Sequence, residues 1–357
     1  MVPYTEGMRF VTVPGRVNLI GEHIDYHNLA VLPMAIQRRV RIEYAPLAEA
    51  VVRATAEGYG PAEIKLCGEL TPDTAGAWSN YIKAAVQAVR GRWKVTRGIE
   101  AKVTSDLPAA AGLSSSSALM TGFAMALLRA NGIELTIDEW MEVLPDGEQF
   151  VGTRGGGMDH AAVLAGQRGN ALLVEFAPLQ LTDVPIPAHW SFIVAHSLKK
   201  AEKSGAAREQ FNSKRRAGQS AFEKVRSGLP LNTEEERTYR HVVSEGRRVT
   251  EAVEALKRAD KEAFGSLLCA SHASLRDDLR VSCAELDELV EVAMRNKALG
   301  ARLTGAGFGG CAIVFCETAE RQRIAQGLME GFYARREGFD REKHLIFAEP
   351  SAGALHG

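Results

Sequence analysis

What this chain lacks narrows its chemistry first. No stretch of its 357 residues approaches the ~20 apolar positions of a membrane span, and the N-terminus, MVPYTEGMRF, has neither the basic nor the apolar region of a secretory signal. Charge of one sign is not in excess. The 43 basic and 44 acidic residues leave a net charge of -1, which gives no electrostatic footprint for nucleic acid or an acidic membrane. The five cysteines, at positions 67, 269, 283, 311 and 316, show no CxxC spacing, and their odd number argues against a disulfide framework. There is no GxxxxGK[ST] loop, no HExxH, no internal repeat and no low-complexity segment. Together these absences predict a cytoplasmic enzyme with neither a nucleic-acid nor a membrane partner.

What is present is ordinary in bulk and concentrated in a few places. At 46% hydrophobic and 24% charged the composition is that of a globular protein. The length exceeds one compact core of ordinary size and suits two domains; the proline-containing VPIPAHW (184–190) is a plausible junction between halves divided as 1–180 and 181–357. RFVTV (9–13) alternates and reads as a strand, followed by a strand from Val31 through RRVRIEYA, with GRVNLIGEHIDYHN read as a polar loop between them. WSNYIKAAVQAVRGRW carries apolar residues at helical spacing, and SSSSALMTGFAMALLRANG reads as a helix apolar nearly all round, hence buried. Helix is expected over 136–150, through most of 200–299 and over 320–336, and strand at 171–176, 192–196 and 344–348. Helices and strands alternate without doubly wound regularity, so the predicted class is α+β.

Four stretches carry chemistry. GLSSSS (112–117) opens the buried helix, where free N–H groups and the positive dipole end favour an anion and a serine could ligate Mg²⁺; a serine N-cap is the plainer alternative. GAGFGG (305–310) satisfies GxGxxG, but a strand rather than a helix follows, so dinucleotide binding fails on context and a glycine hairpin remains. RGGGMD (154–159) is either a turn capped by Asp159 or a loop that lets a ligand approach the backbone. Finally, Arg16, Glu22, His23 and Asp25 fall within ten residues of an otherwise apolar loop, an inventory suited to polyol hydroxyls.

Taken together, GRVNLIGEHIDY, LPAAAGLSSSSAL, LTGAGFGGCAIV and SHASLRDDLRVSCAELDELV resemble the galactokinase branch of the GHMP sugar and small-molecule kinases, over nearly the whole chain. The resemblance implies a ribosomal S5-like N-terminal domain, a ferredoxin-like C-terminal domain, and a site between them that uses ATP and Mg²⁺ to phosphorylate the anomeric hydroxyl of a galactose-type sugar. It implies Asp159 as the base and Arg16 as its partner facing the γ-phosphate. Glu22, His23, Asp25 and the backbone at Gly156 would hold sugar hydroxyls. Gly112, Ser114, Ser115 and Ser116 would surround the phosphates, Trp78 would lie near the adenine, and Ser115, Ser116 and Glu148 would offer metal ligands. An arginine beside Asp159 would keep the carboxylate ionised.

The chain also departs from the branch. Its usual glutamine after MD is His160 here, a tyrosine that packs on the sugar aligns with Phe211, and Ala306 replaces a glycine. The GTxGGGMD pattern and Phe211-Asn212 are closer to N-acetylgalactosamine kinases, so that sugar, galacturonate and arabinose are alternative acceptors. A non-catalytic sugar and ATP sensor is the alternative of a different class, though such relatives carry damage in the serine loop, which is complete here. A monomer or weak dimer is expected.

Overall fold

The computed structural model describes residues 7–108, 111–152, 155–200 and 206–357. The first half contains strands β1 (Arg9–Ile20), β2 (Leu32–Leu47), β3 (Val51–Ala56) and β4 (Ala62–Lys65), helix α1 (Ser79–Arg90), strand β5 (Gly98–Ser105), and helices α2 (Ser115–Ala130), α3 (Ile137–Phe150) and α4 (Met158–Ala165). The strands form one sheet in the order β1-β2-β5-β3-β4, with β3 and β5 parallel and the other neighbours antiparallel. Helix α2, apolar all round as the sequence predicts, lies against β1 and β2 beneath α1 and α3. It approaches closely at Gly122, where a Cβ would come within 2.8 Å of Ile42 Cδ1. A capping box between Thr136 and Glu139 starts α3.

The hairpin of β6 (Asn170–Phe176) and β7 (Leu179–Pro185) leads to β8 (Trp190–His196), helices α5 (Ala206–Arg226), α6 (Thr233–Lys257), α7 (Lys261–Ser274) and α8 (Ala284–Arg295), strands β9 (Gly300–Thr304) and β10 (Cys311–Glu317), helices α9 (Arg321–Gly331) and α10 (Arg341–His344), and β11 (Leu345–Ala348). This second sheet is antiparallel in the order β11-β8-β10-β9. Counting its strands in chain order, that is 4-1-3-2, the ferredoxin-like arrangement, with α5–α8 inserted after the first strand. Both of its faces are covered, which is why WSFIVAH and CAIVFC are apolar without alternation. Ile193 and Ala195 pack with Leu286, Leu289 and Ile324 on one side. On the other, Phe192 joins Trp190, Phe264 and Phe315, with ring centroids 4.7–6.2 Å apart.

Two local expectations are corrected and one pair of strands is added. GRVNLI is not loop: β1 continues to Ile20, with Val17 opposite Met34 and Ile20 opposite Leu32, because its apolar side chains fill the core under α2 and α4. Register breaks at Pro14/Arg16 and Asn18/Ile20 disguise the alternation. The pair β3 and β4 was not anticipated. Helix α9 ends at Gly331 rather than 336, where a 3-10 turn over Tyr333–Arg335 takes over.

Truncating the aromatic cluster tests where stability resides. Phe315→Ala is expected to cost about 3–5 kcal/mol in urea unfolding, whereas Phe10→Ala, on a surface residue 60% exposed, should stay within about 0.5 kcal/mol.

Candidate active site

The break in register between Pro14 and Arg16 turns the Arg16 side chain inward, where it is almost wholly buried. Its Nε and Nη2 both reach Asp159 Oδ1 at 2.7 Å, and Nη1 donates to the Gly112 carbonyl at 2.6 Å. Asp159 stands in the first turn of α4, where the helix dipole favours a carboxylate. Its Oδ2 accepts from Ser114 Oγ at 2.6 Å. Burial works against the Arg16 charge, but Asp159, Glu22 and Asp25 outweigh it and raise its pKa. Ser114 is held at φ 59°, a left-handed conformation seldom adopted by serine, and its hydroxyl goes to Asp159 instead of capping α2. Ser114 thus occupies the N-cap position of the plainer sequence reading, but its side chain accepts no capping bond. The first turn of α2 keeps its N–H groups for an anion.

The loop after β1 forms the adjoining wall. Asp25 Oδ2 accepts from the Gly156 N–H at 3.0 Å. A Cβ on Gly156 would fall within 2.3–2.6 Å of the backbone at Asp25–Tyr26, so this glycine is required by protein backbone packing against protein backbone. Burial, reinforced by repulsion from Asp159, pushes the Asp25 carboxyl up to about 6 despite the Gly156 and Tyr26 N–H groups. His23 donates from Nε2 to the Ala306 carbonyl at 3.0 Å and accepts at Nδ1 from the Tyr26 hydroxyl at 2.8 Å. Burial lowers its pKa to about 3 and keeps it neutral. With both nitrogens engaged, His23 presents its ring, and no free polar atom, to the cleft. Phe211 from α5 packs 5.2 Å from the His23 ring and 5.7 Å from Tyr26.

Behind this wall lies a buried ionic cluster that sequence reasoning missed. Glu22 Oε1 accepts from the Gly305 N–H at 2.6 Å and from Thr304 Oγ1 at 3.2 Å, with Arg302 Nη2 at 3.6 Å. Burial raises the Glu22 pKa, opposed by Arg302 and Arg16. Arg302, wholly buried, also donates to the carbonyls of Asn18 and Leu19. Glu245 from α6 accepts from the Gly21 N–H, from Ser271 and from Arg248. Burial opposes its charge, yet His241, Arg302, Arg248 and Ser271 hold its carboxyl down at about 2. His241 donates from Nε2 to the Glu22 carbonyl. Each of these residues lies over 200 positions from the loop it fixes, on a helix or strand whose periodicity reports only its fold.

At the floor, Ser117 Oγ donates to Glu148 Oε1 at 2.8 Å, and His160 Nε2 lies 3.5 Å from the same oxygen. The serine that faces Glu148 is Ser117, not Ser115 or Ser116. Ser115 and Ser116 are half-buried in the same turn. Trp78 immediately precedes α1, with Nε1 donating to the Gly60 carbonyl and its ring beside Tyr59. Arg16, Glu22, His23, Asp25, Tyr26, Glu148, Asp159, His160 and Phe211 line one cleft, closed by Gly305 and Ala306. The two glycine loops touch: a Cβ on Gly305 would meet the Gly112 carbonyl at 3.0 Å. Thr153 and Arg154 of the GTRGGGMD stretch, and Ala109 and Ala110 before the serines, lie outside the described residues.

Comparison with known proteins matches three families. "GHMP kinases N terminal domain" covers residues 80–167, "GHMP kinases C terminal" 252–334, and "Galactokinase galactose-binding signature" 4–46. The chain is 34% identical to a galactokinase of Chloroflexus aurantiacus over 352 residues, spanning 92% of this chain and 89% of that one. It is 35% identical to a galactokinase of Bos taurus over 345 residues, spanning 90% and 87%. The crystal structure of Lactococcus lactis galactokinase complexed with galactose superposes with a TM-score of 0.89 at 25% identity, over 98% of this chain and 95% of the other.

Arg302→Met leaves Glu22 and Glu245 buried without their shared cation, and an expected loss of about 3–5 kcal/mol should appear in denaturant unfolding. A loss below about 1 kcal/mol would show that the cluster does not hold the loop.

Proposed function

The chain belongs to the galactokinase family of the GHMP kinases, and on that footing we propose that it transfers the γ-phosphoryl group of ATP to the anomeric hydroxyl of galactose. The observation that carries this reading is the position of Asp159. Its carboxylate lies between the wall built from Glu22, His23 and Asp25 and the first turn of α2. A hydroxyl seated against that wall meets Asp159 on one side and phosphates at the helix N-terminus on the other.

Phosphoryl transfer through a loose transition state needs alignment and charge neutralisation more than an early proton abstraction. Asp159 accepts from Arg16 on one oxygen and Ser114 on the other, which fixes its plane. It orients the hydroxyl and takes its proton as the new bond forms. Arg16, tied to both Asp159 and the Gly112 carbonyl, places its guanidinium beside the transferred group. The N–H groups of Ser115, Ser116 and Ser117 receive the phosphates.

Glu148 and Ser117 fit Mg²⁺: both are hard oxygen donors, and two protein ligands leave coordination positions for phosphate oxygens and water. Among the described residues no cluster of three or more His, Cys, Asp or Glu forms an all-protein metal cage. Mg²⁺ held by this pair would supply positive charge to the phosphates. Among the described residues no helix is long and apolar enough to cross a membrane.

N-acetylgalactosamine is the second reading, favoured by the Phe211 ring, which makes this part of the wall apolar. An ADP-coupled assay across galactose, N-acetylgalactosamine, galacturonate and arabinose should give galactose the highest kcat/KM. Turnover of neither galactose nor N-acetylgalactosamine would overturn both readings, and turnover of none of the four sugars would leave a sensor. Asp159→Ala should lower kcat at least about 10³-fold; a wild-type rate would remove Asp159 from the mechanism. The pH dependence has a defined sign. Asp25, with its carboxyl at about 6, must be ionised to accept sugar hydroxyls, and it is protonated as pH falls through that value. The KM for galactose should therefore rise roughly tenfold from pH 7 to pH 5, and Asp25→Asn should abolish that slope.

A further inference from the structure

His160 has no part in the mechanism above, yet its surroundings are unusual for a core histidine. It is 1% exposed, follows Asp159 in the first turn of α4, and lines the cleft. Neither ring nitrogen has a hydrogen-bond partner among the described residues. A polar group buried in that way is costly to retain and calls for a reason. Beside it stands Glu148, whose Oε1 lies 3.5 Å from Nε2 and already accepts from Ser117.

We propose that His160 is a positioning residue for the metal-binding carboxylate: its Nε2–H donates to Glu148 in the loaded enzyme and sets the rotamer that carries Glu148 onto the divalent cation. This rests on the assignment of Glu148 and Ser117 as metal donors. The geometry suits the role. Ser117 and His160 approach the same oxygen, Oε1, from α2 and α4. A small closure of α4 toward α3 would bring 3.5 Å to hydrogen-bond length. Because Asp159 and His160 are consecutive on α4, the residue that aligns the hydroxyl and the residue that aligns the metal ligand move together. Partners that orient a metal ligand from behind typically change metal affinity 10–100-fold when removed.

The test measures Mn²⁺ binding by electron paramagnetic resonance in the presence of a non-hydrolysable ATP analogue, for the wild type, His160→Leu, His160→Gln and Glu148→Gln. Galactose binding is followed calorimetrically beside it. His160→Leu should weaken Mn²⁺ binding about 10–100-fold while galactose affinity changes less than about threefold. His160→Gln, whose amide can donate from near the Nε2 position, should recover most of that loss. If Glu148→Gln abolishes Mn²⁺ binding but His160→Leu leaves it at the wild-type value, the role of His160 is overturned and the metal assignment stands. If Glu148→Gln keeps wild-type Mn²⁺ affinity, the metal assignment itself fails. Should His160→Leu not fold, His160→Met, unbranched and able to fill irregular space, carries the same comparison. A matching loss of Mn²⁺ and galactose affinity in either variant would mark a general packing role and overturn the proposal.

Discussion

A guanidinium buried to 3% exposure is stable only if its partners are in place, and Arg16 therefore fixes the geometry of everything around it. One arm and the chain nitrogen of the fork hold Asp159 at the start of α4; the other arm holds the Gly112 carbonyl ahead of α2. Two helix N-termini, which would otherwise be separate anion sites, are locked into one arrangement. Ser114 closes the triangle by reaching from the α2 side to the second oxygen of Asp159, at the cost of a left-handed backbone. Lysine could not make the same set of contacts, since its single nitrogen has no fixed fork.

The C-terminal half lends Phe211, Gly305 and Ala306 to the cleft and braces the rest of it from behind. Gly305 packs against Gly112, Ala306 anchors His23, and Arg302 and Glu245 grip the strand end and loop that carry Glu22. GxGxxG here serves close packing: a Cβ at Gly307 would strike the Val281 carbonyl at 2.3 Å. The sugar wall is thus one loop pinned from behind by Arg302 and Glu245.

Much of this was legible in the chain. Absence of repeats and mixed periodicity indicated α+β, and the apolar 115–130 segment was recognisable as a buried helix because no face of it is polar. Arg16 and Asp159 stood out through motifs whose chemistry needs a cation, a carboxylate and a glycine-rich anion loop together. What was hidden depends on tertiary contact. Arg302 sits in ARLT, indistinguishable from a surface arginine on an edge strand. Glu245 and His241 fall on the charged helix α6, where charge ordinarily signals solvent. The register of the serine run was equally hidden, because four identical side chains differ only in where the left-handed turn at Ser114 aims them; that turn delivers Ser117 to Glu148. Gly156 was read as room for a ligand, and its neighbour proves to be the Asp25–Tyr26 backbone.

The claim on which the rest depends is that Arg16 couples the carboxylate to the phosphate loop, and single-turnover phosphoryl transfer by Arg16→Lys measures it most directly. Lysine keeps one charge and loses the fork. The rate should fall by about 100-fold or more. A rate within about threefold of wild type would contradict the coupling and leave Arg16 as a source of charge alone.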